Sequence, residues 1–427
     1  MSRKLYSALL YLLAPLIWRR VRRERMTGRP RGERLGHIAD MAGERVLWLH
    51  AASLGEVMTA RPLIRALIDD YPEHRVVITT MTVTGAERVN ALFGDLVTHF
   101  FIPLDFPGAT RRFVERLAPE IAIIVETELW PNLIHACSLQ GVPVTVVNAR
   151  ITERGFRRYR RFAGLMVPVI RQLSWVGAKS GEDAQRFRAL GVPARRINVT
   201  GALKFDLQLD AQSVAAGRQL REAFGDRPVW VAGSTHEGEE SQLLRAHATL
   251  RQRFPDALLV LVPRHPQRFD EVDALCRRQG LEVARRSAGD TVGATTAVYL
   301  GDTLGELMAL YGAGDIAFVG GSLVDIGGHN LLEPAALGRA VISGPSLSSL
   351  GDVLDMLEKG RARLEARDAD ELGRTLVALI GDDDRRTELG EQARAVVAAN
   401  RGALGHTRSY LAKLILAQEL DRPLPEE

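Results

Sequence analysis

The sequence predicts an α/β protein whose chain forms two doubly wound parallel sheets. First, short β-rich apolar runs alternate with amphipathic segments from Gly43 onward, which is the pattern of parallel strands wrapped by helices. Second, a polar connector at 206–212 interrupts this alternation, which then resumes. Third, 427 residues are too many for one compact core. We therefore expect two domains, with ligands bound beyond the carboxyl ends of the strands.

The apolar runs give the strands of each half in chain order. In the first half they are 46–49, 76–80, 97–102, 121–125, 142–147, 175–178 and 197–200. In the second half they are 229–232, 257–261, 281–284, 297–300, 316–319 and 340–342. Helical patterns such as 56–68 and 109–117 lie between them, and a helical tail at 407–419 could pack on the first domain. The predicted division is an N-terminal segment at 1–30, domains at 31–208 and 209–401, and a C-terminal helix at 402–427.

Composition describes a folded globular protein of a reducing compartment. Hydrophobic residues make up 46% of the chain and charged residues 25%, which is ordinary for a globular fold. Lysine and arginine exceed aspartate and glutamate by 56 to 52. Cys137 and Cys276 lie far apart in apolar helical contexts, so we expect buried free thiols and no disulfide framework.

The N-terminal segment combines an apolar run with a basic flank. Residues 5–18 are apolar but short of the ~20 residues of a spanning helix, contain Pro15 and lack a following cleavage site. The flank supplies eight arginines against two glutamates: Arg19, Arg20, Arg22, Arg23, Arg25, Arg29, Arg31 and Arg34. We expect an interfacial or short membrane anchor whose arginines stay on the cytoplasmic side. The alternative is a packed N-terminal helix of a soluble protein.

A glycine-rich stretch follows the run at 316–319. Gly320, Gly321 and Ser322 come first, and Asn330 begins a helical segment after a second glycine pair. Glycines allow close approach of backbone to a ligand, and a helix N-terminus attracts anions such as phosphate. Glu333, one turn further, is suited to accept hydrogen bonds from ribose hydroxyls. The alternative is an ordinary glycine-rich turn with a solvated glutamate.

Candidate catalytic residues follow strands of the first half. HAASLGE at 50–56 places Glu56 at a helix start, where a carboxylate can deprotonate an acceptor hydroxyl or merely complement the helix dipole. ETELWPN at 126–132 contains Glu128 in an acidic cluster that can orient a polyhydroxylated substrate, or can simply flank a helix cap. GALKFD at 201–206 places Lys204 where it could meet a phosphate or carboxylate, or lie solvated in a linker. Ser53 and Gly55 are further candidates.

Candidate nucleotide-binding residues follow strands of the second half. AGSTHEGEE contains Ser234 and Thr235 in an anion-binding turn or a well-capped helix start. PRHP at 263–266 fixes a guanidinium suited to phosphate between two prolines. GDTLGEL at 301–307 adds another glycine-bearing helix start. A nucleotide phosphate site explains these features together, and closely spaced metal ligands are absent from the sequence.

The ordered set of these motifs resembles the 3-deoxy-D-manno-octulosonic acid (Kdo) transferase family of lipopolysaccharide synthesis. The resemblance covers nearly the whole chain through HAASLGE, TTMTVTGAERV, ETELWPNL, NARIT, GALKFD, AGSTHEGEE, LVPRHPQRF, GDTLGELMALY and FVGGSLVDIGGHNLLEPA. It implies a GT-B glycosyltransferase with two Rossmann-like domains and a cleft between them. It also implies CMP-Kdo as donor and a lipid A precursor in the cytoplasmic leaflet of the inner membrane as acceptor.

The resemblance also implies roles for individual residues. Glu56 matches the general base, and Glu128 and Lys204 match residues that stabilise the transition state. The CMP-binding positions are matched by Pro263, Arg264, Gly305, Glu306, Leu307, Asn330, Leu331, Leu332 and Glu333. Further candidates for the cleft are Ser53, Gly55, Ser234, Thr235, His265, Gly320, Gly321 and Ser322. The loop 346–350 departs from the family, because many relatives carry an aromatic residue and an asparagine there.

The expected reaction is an inverting transfer without metal or other cofactor, in which Glu56 deprotonates a glucosamine 6-hydroxyl that attacks C2 of Kdo. One alternative is a sugar-nucleotide enzyme of the same architecture, such as a UDP-sugar transferase or epimerase. Another is a non-catalytic, membrane-attached nucleotide-binding protein. Nucleic-acid binding is not expected, because the basic residues cluster beside an apolar run and not along a folded face with stacking aromatics.

Overall fold

The structure, a computed structural model, describes residues 2–23, 31–207 and 209–420. The chain divides into two compact units. The first comprises 1–206 and 400–427, and the second comprises 207–399. Each unit is described separately below.

The first unit contains α1 (Arg3–Arg23), β1 (Val46–His50), α2 (Leu54–Asp70), β2 (Arg75–Thr80), α3 (Val83–Phe93), β3 (Thr98–Phe101), α4 (Pro107–Leu117), β4 (Ile121–Val125), α5 (Pro131–Leu139), β5 (Val144–Ala149), α6 (Glu153–Arg161), α7 (Ala163–Ile170), β6 (Leu173–Ala178), α8 (Gly181–Ala189) and β7 (Ile197–Val199). Short 3₁₀ turns occur at Arg31–Leu35, Gly94–Leu96, Ala194–Arg196 and Leu203–Phe205.

The second unit contains α9 (Ala211–Phe224), β8 (Val229–Thr235), α10 (Glu240–Arg253), β9 (Leu258–Pro263), α11 (Phe269–Arg278), β10 (Val283–Arg285), β11 (Val298–Leu300), α12 (Leu307–Ala313), β12 (Ile316–Val319), α13 (Leu332–Ala336), β13 (Ala340–Ser343), α14 (Asp352–Lys359), β14 (Leu364–Glu365), α15 (Ala369–Ile380) and α16 (Asp383–Ala399). A 3₁₀ turn at Pro266–Arg268 precedes α11, and α17 (Ala403–Leu420) returns to the first unit.

Each unit is built on a seven-stranded sheet whose strands all pair in parallel. The order is β3-β2-β1-β4-β5-β6-β7 in the first unit and β10-β11-β9-β8-β12-β13-β14 in the second. The chain reverses its direction of winding between β1 and β4 and again between β8 and β12. The carboxyl ends of strands at such switch points are where α/β sheets bind ligands. The prediction of two doubly wound parallel-sheet units is confirmed.

Both faces of the first sheet are covered by apolar side chains. Along β1, Val46 and Trp48 contribute to one buried cluster, while Leu47 and Leu49 contribute to the other. This alternation is the two-residue period of a strand. Because both faces are buried, the parallel strands appear in the sequence as continuous apolar runs.

Helix α17 completes one of these clusters. Its Leu411 and Ile415 are buried beside α2 and the strand residues of the same cluster. The Tyr410 ring lies parallel to that of Trp175, with centroids 4.8 Å apart. At the start of the helix, the carboxylate of Asp206 accepts backbone hydrogen bonds over 2.7 and 2.6 Å. The last residue of the GALKFD motif therefore fixes the C-terminal segment on the first unit.

Helix α1 packs on the first unit through polar contacts. Ser7 Oγ donates to Asn132 Oδ1 over 3.1 Å, and the Tyr6 hydroxyl bonds to the buried carboxyl of Asp105. The opposite side is apolar and exposed, with Leu12 76% and Leu16 65% accessible. Across residues 2–23, 31–207 and 209–420, none of the helices is both long and apolar enough to cross a bilayer. The membrane anchor stays a prediction.

The basic flank is not a uniform surface cluster. Arg34 is buried, and its guanidinium donates to the carbonyls of Met81 and Ile102 over 2.6 and 3.2 Å. Its expected role at a membrane surface is therefore wrong, since the side chain serves the interior of the first unit. Arg25 and Arg29 lie outside the described residues.

The strands differ from prediction mainly at their ends. The run predicted at 142–147 forms Val144–Ala149, and β8 continues to Thr235, so that Ser234 and Thr235 belong to the strand. The two-residue strand β14 is too short to produce an apolar run and was not predicted. Cys137 and Cys276 are buried free thiols, as expected.

Candidate functional site

Glu56 lies in the first turn of α2, directly after β1. Ser53 caps this helix, its Oγ accepting from Glu56 N over 3.4 Å and donating to Glu56 Oε1 over 3.1 Å. The other carboxylate oxygen accepts from Ala52 N over 2.7 Å. This reciprocal arrangement is a capping box, in which the third helical residue reaches back toward the cap. The small residues of HAASLGE thus hold the Glu56 carboxylate in one position.

Burial raises the pKa of Glu56 to about 7. The hydrogen bonds from Ala52 and Ser53 oppose this shift, whereas the negative charges of Glu126 and Glu128 reinforce it. A carboxyl group whose pKa lies near the working pH is suited to general base catalysis, because it is partly ionised and still basic. The Glu56 carboxylate therefore has both a fixed position and a pKa suited to accepting a proton near neutral pH.

Glu126 and Glu128 follow β4, the neighbour of β1. Glu126 has a φ of 61°, a left-handed conformation, and its N–H donates to Val147 O over 2.9 Å. Glu128 Oε2 accepts from Trp130 Nε1 over 2.9 Å. Burial raises the pKa of Glu128, and Glu126 adds to the rise while Trp130 opposes it. The ETELW segment therefore places two carboxylates at the switch point beside Glu56.

Three cations follow the next strands of the sheet. Arg150 comes after β5, Lys179 after β6, and Lys204 after β7 in the 3₁₀ turn Leu203–Phe205. Burial lowers the pKa of Lys204 to about 8, with Lys179 and Arg150 lowering it further and Glu126 opposing them. Because Lys179, Arg150 and Glu126 all affect the pKa of Lys204, the carboxylates and cations lie near one another at one edge of the first sheet.

This edge brings together all three predicted catalytic residues and adds three others. Glu126 lies within the ETELWPN motif but is not among the predicted site residues, and neither are Arg150 and Lys179. The available signal was position, because each directly follows a strand. Gly55, also predicted, lies in the first turn of α2 beside the capping serine.

In the second unit, the glycine-rich loop is organised by Glu239. This buried carboxylate accepts from Gly321 N over 2.7 Å and from Ser322 N and Leu323 N over 2.9 Å each. It also accepts from His236 N over 2.9 Å. The N–H groups of Gly321 and Ser322 are therefore engaged inside the unit, and the place of these two residues in the cleft stays a prediction. A glutamate inside the protein occupies the anion-binding position of the loop.

Gly320 and Ser322 each have a structural role at the start of the glycine-rich loop. A Cβ on Gly320 would lie 2.5 Å from Ser234 O, so β12 and β8 leave no room for a side chain there. Ser322 Oγ accepts from Gly344 N over 2.8 Å. The divergent loop 346–350 then folds against the second glycine pair, with Ser349 N donating to Gly327 O over 3.1 Å. These contacts give the loop a fixed shape.

The predicted nucleotide residues at β8 and β9 lie side by side. Arg264 has an exposed side chain, and its N–H donates to Thr235 O over 3.0 Å. Pro263, the last residue of β9, is buried, and His265 is exposed. The Thr235 hydroxyl donates to the buried Glu240 and is therefore engaged inside the unit.

Glu306 is held by an arginine. Arg286 contacts both of its carboxylate oxygens over 2.7 and 3.2 Å, and this bidentate bond lowers the pKa of Glu306. Gly305 has a φ of 86°, which a side chain would strain, and Leu307 begins α12. In the GDTLGEL turn, the Glu306 carboxylate is therefore engaged by Arg286, while Gly305 is exposed.

The residues from Asn330 to Glu333 divide into a polar pair and an apolar pair. Asn330 Oδ1 accepts from Leu332 N and its Nδ2 donates to Glu333 Oε1, each over 3.1 Å. Leu331 and Leu332 are fully buried. Their side chains belong to the core, so only backbone atoms of the leucines are in a position to contact a ligand. Among the described residues, no group of three or more His, Cys, Asp or Glu side chains is arranged to hold a metal ion.

The fold belongs to a broad class of two-domain α/β proteins. It matches UDP-GlcNAc 2-epimerase from Neisseria meningitidis with a TM-score of 0.54, covering 87% of this chain and 100% of that one at 14% identity. That identity shows the fold alone. Within this class, an edge that carries a near-neutral carboxyl group beside two further carboxylates and three cations is equipped for acid–base chemistry.

The sequence comparisons specify the family. Residues 30–207 match the family described as 3-Deoxy-D-manno-octulosonic-acid transferase (kdotransferase). The chain is 42% identical to the 3-deoxy-D-manno-octulosonic acid transferase of Haemophilus influenzae, over 84% of each protein. It is 39% identical to the enzyme of that name from Bordetella pertussis, over 96% of this chain and 99% of that one. The chain belongs to the Kdo transferase family and is a glycosyltransferase.

Proposed function

We propose that this glycosyltransferase transfers Kdo from CMP-Kdo to a lipid A precursor, with inversion at the anomeric carbon and Glu56 as general base. The observation that carries the proposal is the Glu56 carboxylate, fixed by two hydrogen bonds at the switch point of the first sheet, with a pKa of about 7. Membership of the Kdo transferase family supports the identity of the sugar.

In the proposed step, Glu56 takes the proton of a glucosamine 6-hydroxyl of the acceptor. The hydroxyl oxygen forms a bond to C2 of Kdo while the bond from C2 to the phosphate oxygen breaks, and CMP leaves with that electron pair. The bonds from Ala52 and Ser53 keep the carboxylate from rotating away. Since the attack comes opposite the leaving group, the configuration at C2 inverts.

The other charges of this edge stabilise the charge that develops during transfer. Positive charge grows on the sugar ring in an oxocarbenium-like transition state, and the Glu128 carboxylate is placed to balance it. Lys204, with a pKa of about 8, is mostly protonated at neutral pH and balances negative charge. Fixed charges in a partly buried site act strongly because little solvent screens them.

CMP-Kdo is proposed to bind the second unit at the ends of β8, β9 and β12. The exposed Arg264 is suited to its phosphate. Backbone around Gly305 and the Asn330–Glu333 polar pair supply hydrogen-bonding groups for the nucleoside. CMP is a stable leaving group, so these residues need only bind it and balance its charge.

We further propose that the protein acts at the cytoplasmic face of the inner membrane. The outer side of α1 exposes Leu5, Leu9, Leu12 and Leu16, and arginines follow in the last turns of this helix. Such a helix suits the interface of an anionic bilayer. Co-sedimentation with anionic vesicles tests this proposal. The double variant Leu12→Gln, Leu16→Gln is expected to bind the vesicles more weakly than wild type.

The function is tested by incubating purified wild type and Glu56→Gln with CMP-Kdo and a tetraacylated, bisphosphorylated lipid A precursor. Mass spectrometry of the lipid is expected to reveal added Kdo with the wild type and not with the variant. The matched control is Glu73→Gln, an exposed glutamate far from the switch point. Transfer by Glu56→Gln at the wild-type rate would contradict the proposed base, and turnover of UDP-GlcNAc instead of CMP-Kdo would contradict the proposed donor.

A further inference from the structure

Strand β5 contains a bulge close to the edge that carries the candidate catalytic residues. In its pairing with β6, two residues of β5, Val147 and Asn148, face the single residue Gly177. Asn148 has a φ of 50°, a left-handed conformation that few residues with a side chain adopt. Bulges beside active sites often redirect a side chain. Asn148 belongs to the NARIT motif, to which the proposed reaction assigns no role.

The backbone on either side of Asn148 bonds to two charged residues of this edge. Val147 O accepts from Glu126 N over 2.9 Å, and Ala149 O accepts from Lys179 N over 2.9 Å. Glu126 follows β4 and Lys179 follows β6, the two neighbours of β5 in the sheet. Asn148 therefore lies between a carboxylate and a cation of the candidate site.

The side chain of Asn148 bonds to the turn that carries a third charged residue. Asn148 is 4% exposed, and its Oδ1 accepts from Leu203 N over 3.1 Å. Leu203 begins the 3₁₀ turn that follows β7, and Lys204 is the next residue. This bond therefore joins β5 to a turn that follows the strand two positions further along the sheet.

The turn is held by apolar packing as well as by this bond. Leu203 and Phe205, on either side of the lysine, are fully buried, and Phe205 N donates to Ala202 O over 3.1 Å. Packing of the two apolar side chains keeps the turn in the core, whereas the bond to Asn148 fixes its backbone directly before Lys204. A misplacement of about 1 Å can lower an enzyme's rate on the order of 10²-fold. One hydrogen bond at this position can therefore affect the rate of transfer strongly.

Position 148 has two requirements that few residue types meet together. The left-handed backbone favours glycine, asparagine and aspartate, and Leu203 N needs an acceptor. Glycine meets the first requirement alone. Aspartate meets both but adds a negative charge beside Glu126. Asparagine meets both and stays neutral.

We propose that Asn148 is a positioning residue for the transfer reaction, whose bond to Leu203 N keeps Lys204 at the reacting edge of the first sheet. The inference rests on the proposed function, because Asn148 acts through the role assigned to Lys204. Without this bond the turn is free to shift, and the ammonium group then balances developing negative charge less well.

Asn148→Gly tests the proposal, because glycine adopts the left-handed backbone and only the side chain is lost. We expect kcat for Kdo transfer to fall on the order of tenfold to 10²-fold. The KM for CMP-Kdo should change less than kcat, since the proposed nucleotide site lies in the second unit. Asn148→Asp keeps the acceptor and should retain most of the wild-type kcat. Asn90→Ala, which changes an exposed asparagine of α3, is the control and should match wild type.

A double variant separates positioning of Lys204 from a general structural effect. If Asn148 acts through Lys204, Asn148→Gly combined with Lys204→Gln should be no slower than Lys204→Gln alone. Losses that multiply would overturn the proposal. A kcat of Asn148→Gly within about twofold of wild type would also overturn it.

The remaining outcomes distinguish this inference from the proposed function. If Asn148→Gly fails to fold, Asn148→Asp decides, and a kcat on the order of 10²-fold below wild type would overturn the proposal. Lys204→Gln with the wild-type rate would refute both the role proposed for Lys204 and the inference. A slow Lys204→Gln beside an unimpaired Asn148→Gly would refute the inference alone.

Discussion

Replacing Glu239 by alanine removes the acceptor of four backbone N–H groups, contributed by His236, Gly321, Ser322 and Leu323. The Gly321 and Ser322 bonds are buried and those of His236 and Leu323 are part-buried. A buried donor left without a partner costs about 1–3 kcal/mol, so the four together set an upper range of roughly 4–12 kcal/mol. Removing a buried carboxylate recovers part of its desolvation cost, and water entering the vacated space restores some bonds. We expect the second unit to lose about 4 kcal/mol of unfolding free energy.

The assay is urea unfolding of the full chain, followed by a fluorescence signal of the second unit such as that of Trp230. Glu237→Ala is the matched control, because this exposed glutamate lies two residues away on the same loop. We expect that control to change the unfolding free energy by less than about 0.5 kcal/mol. A loss of under about 1 kcal/mol for Glu239→Ala would refute the reasoning, since the loop amides would then not depend on that carboxylate.

Two further predictions concern the first unit. Lys179→Gln removes a positive charge that lowers the pKa of Lys204, so that pKa should rise and the high-pH decline of kcat should move to higher pH. Asp206→Ala leaves Gly402 N and Leu404 N without their acceptor, and amide hydrogen exchange should report a start of α17 that opens about tenfold more readily.

Their controls use exposed residues of the same type. Lys359→Gln should leave the pH profile of kcat in place, and Asp384→Ala should leave exchange in α17 unchanged. A high-pH limb that stays fixed in Lys179→Gln would mean that Lys204 does not determine it. Unaltered exchange in Asp206→Ala would mean that packing alone holds the helix.

The two sheets and the edges with the candidate site residues could be predicted, because short continuous stretches of sequence indicate both. A parallel strand buried on both faces is a continuous apolar run, and the residue after it lies at the ligand-binding edge. This position predicts Glu56, Glu128 and Lys204 as site residues. Lys179 and Arg150 directly follow strands as well, but nothing in their local sequence indicates that the two side chains lie close to the acidic cluster after β4.

Hydrogen-bond partners that are far apart in the sequence could not be predicted. Glu239 and the glycine loop are 82 to 84 residues apart, and His236 and His329, whose Nε2 atoms lie 2.7 Å from each other, are 93 apart. No local sequence pattern predicts that the Glu239 carboxylate accepts hydrogen bonds from the amides of the glycine-rich loop. Arg34 likewise belongs to a basic run in the sequence, yet its donors satisfy carbonyls after β2 and β3 in the interior.

The pH dependence of kcat/KM for Kdo transfer tests the role of Glu56 most directly, provided that wild type is compared with Glu126→Gln. An ionised base is required, so activity should rise with pH through about 7, the pKa of Glu56. The negative charge of Glu126 raises that pKa, so its removal should move the rising limb to lower pH. Glu56→Gln should abolish the limb and lower the rate by about 10²–10⁴. A limb that stays in place in Glu126→Gln and persists in Glu56→Gln would contradict the assignment of Glu56 as the base.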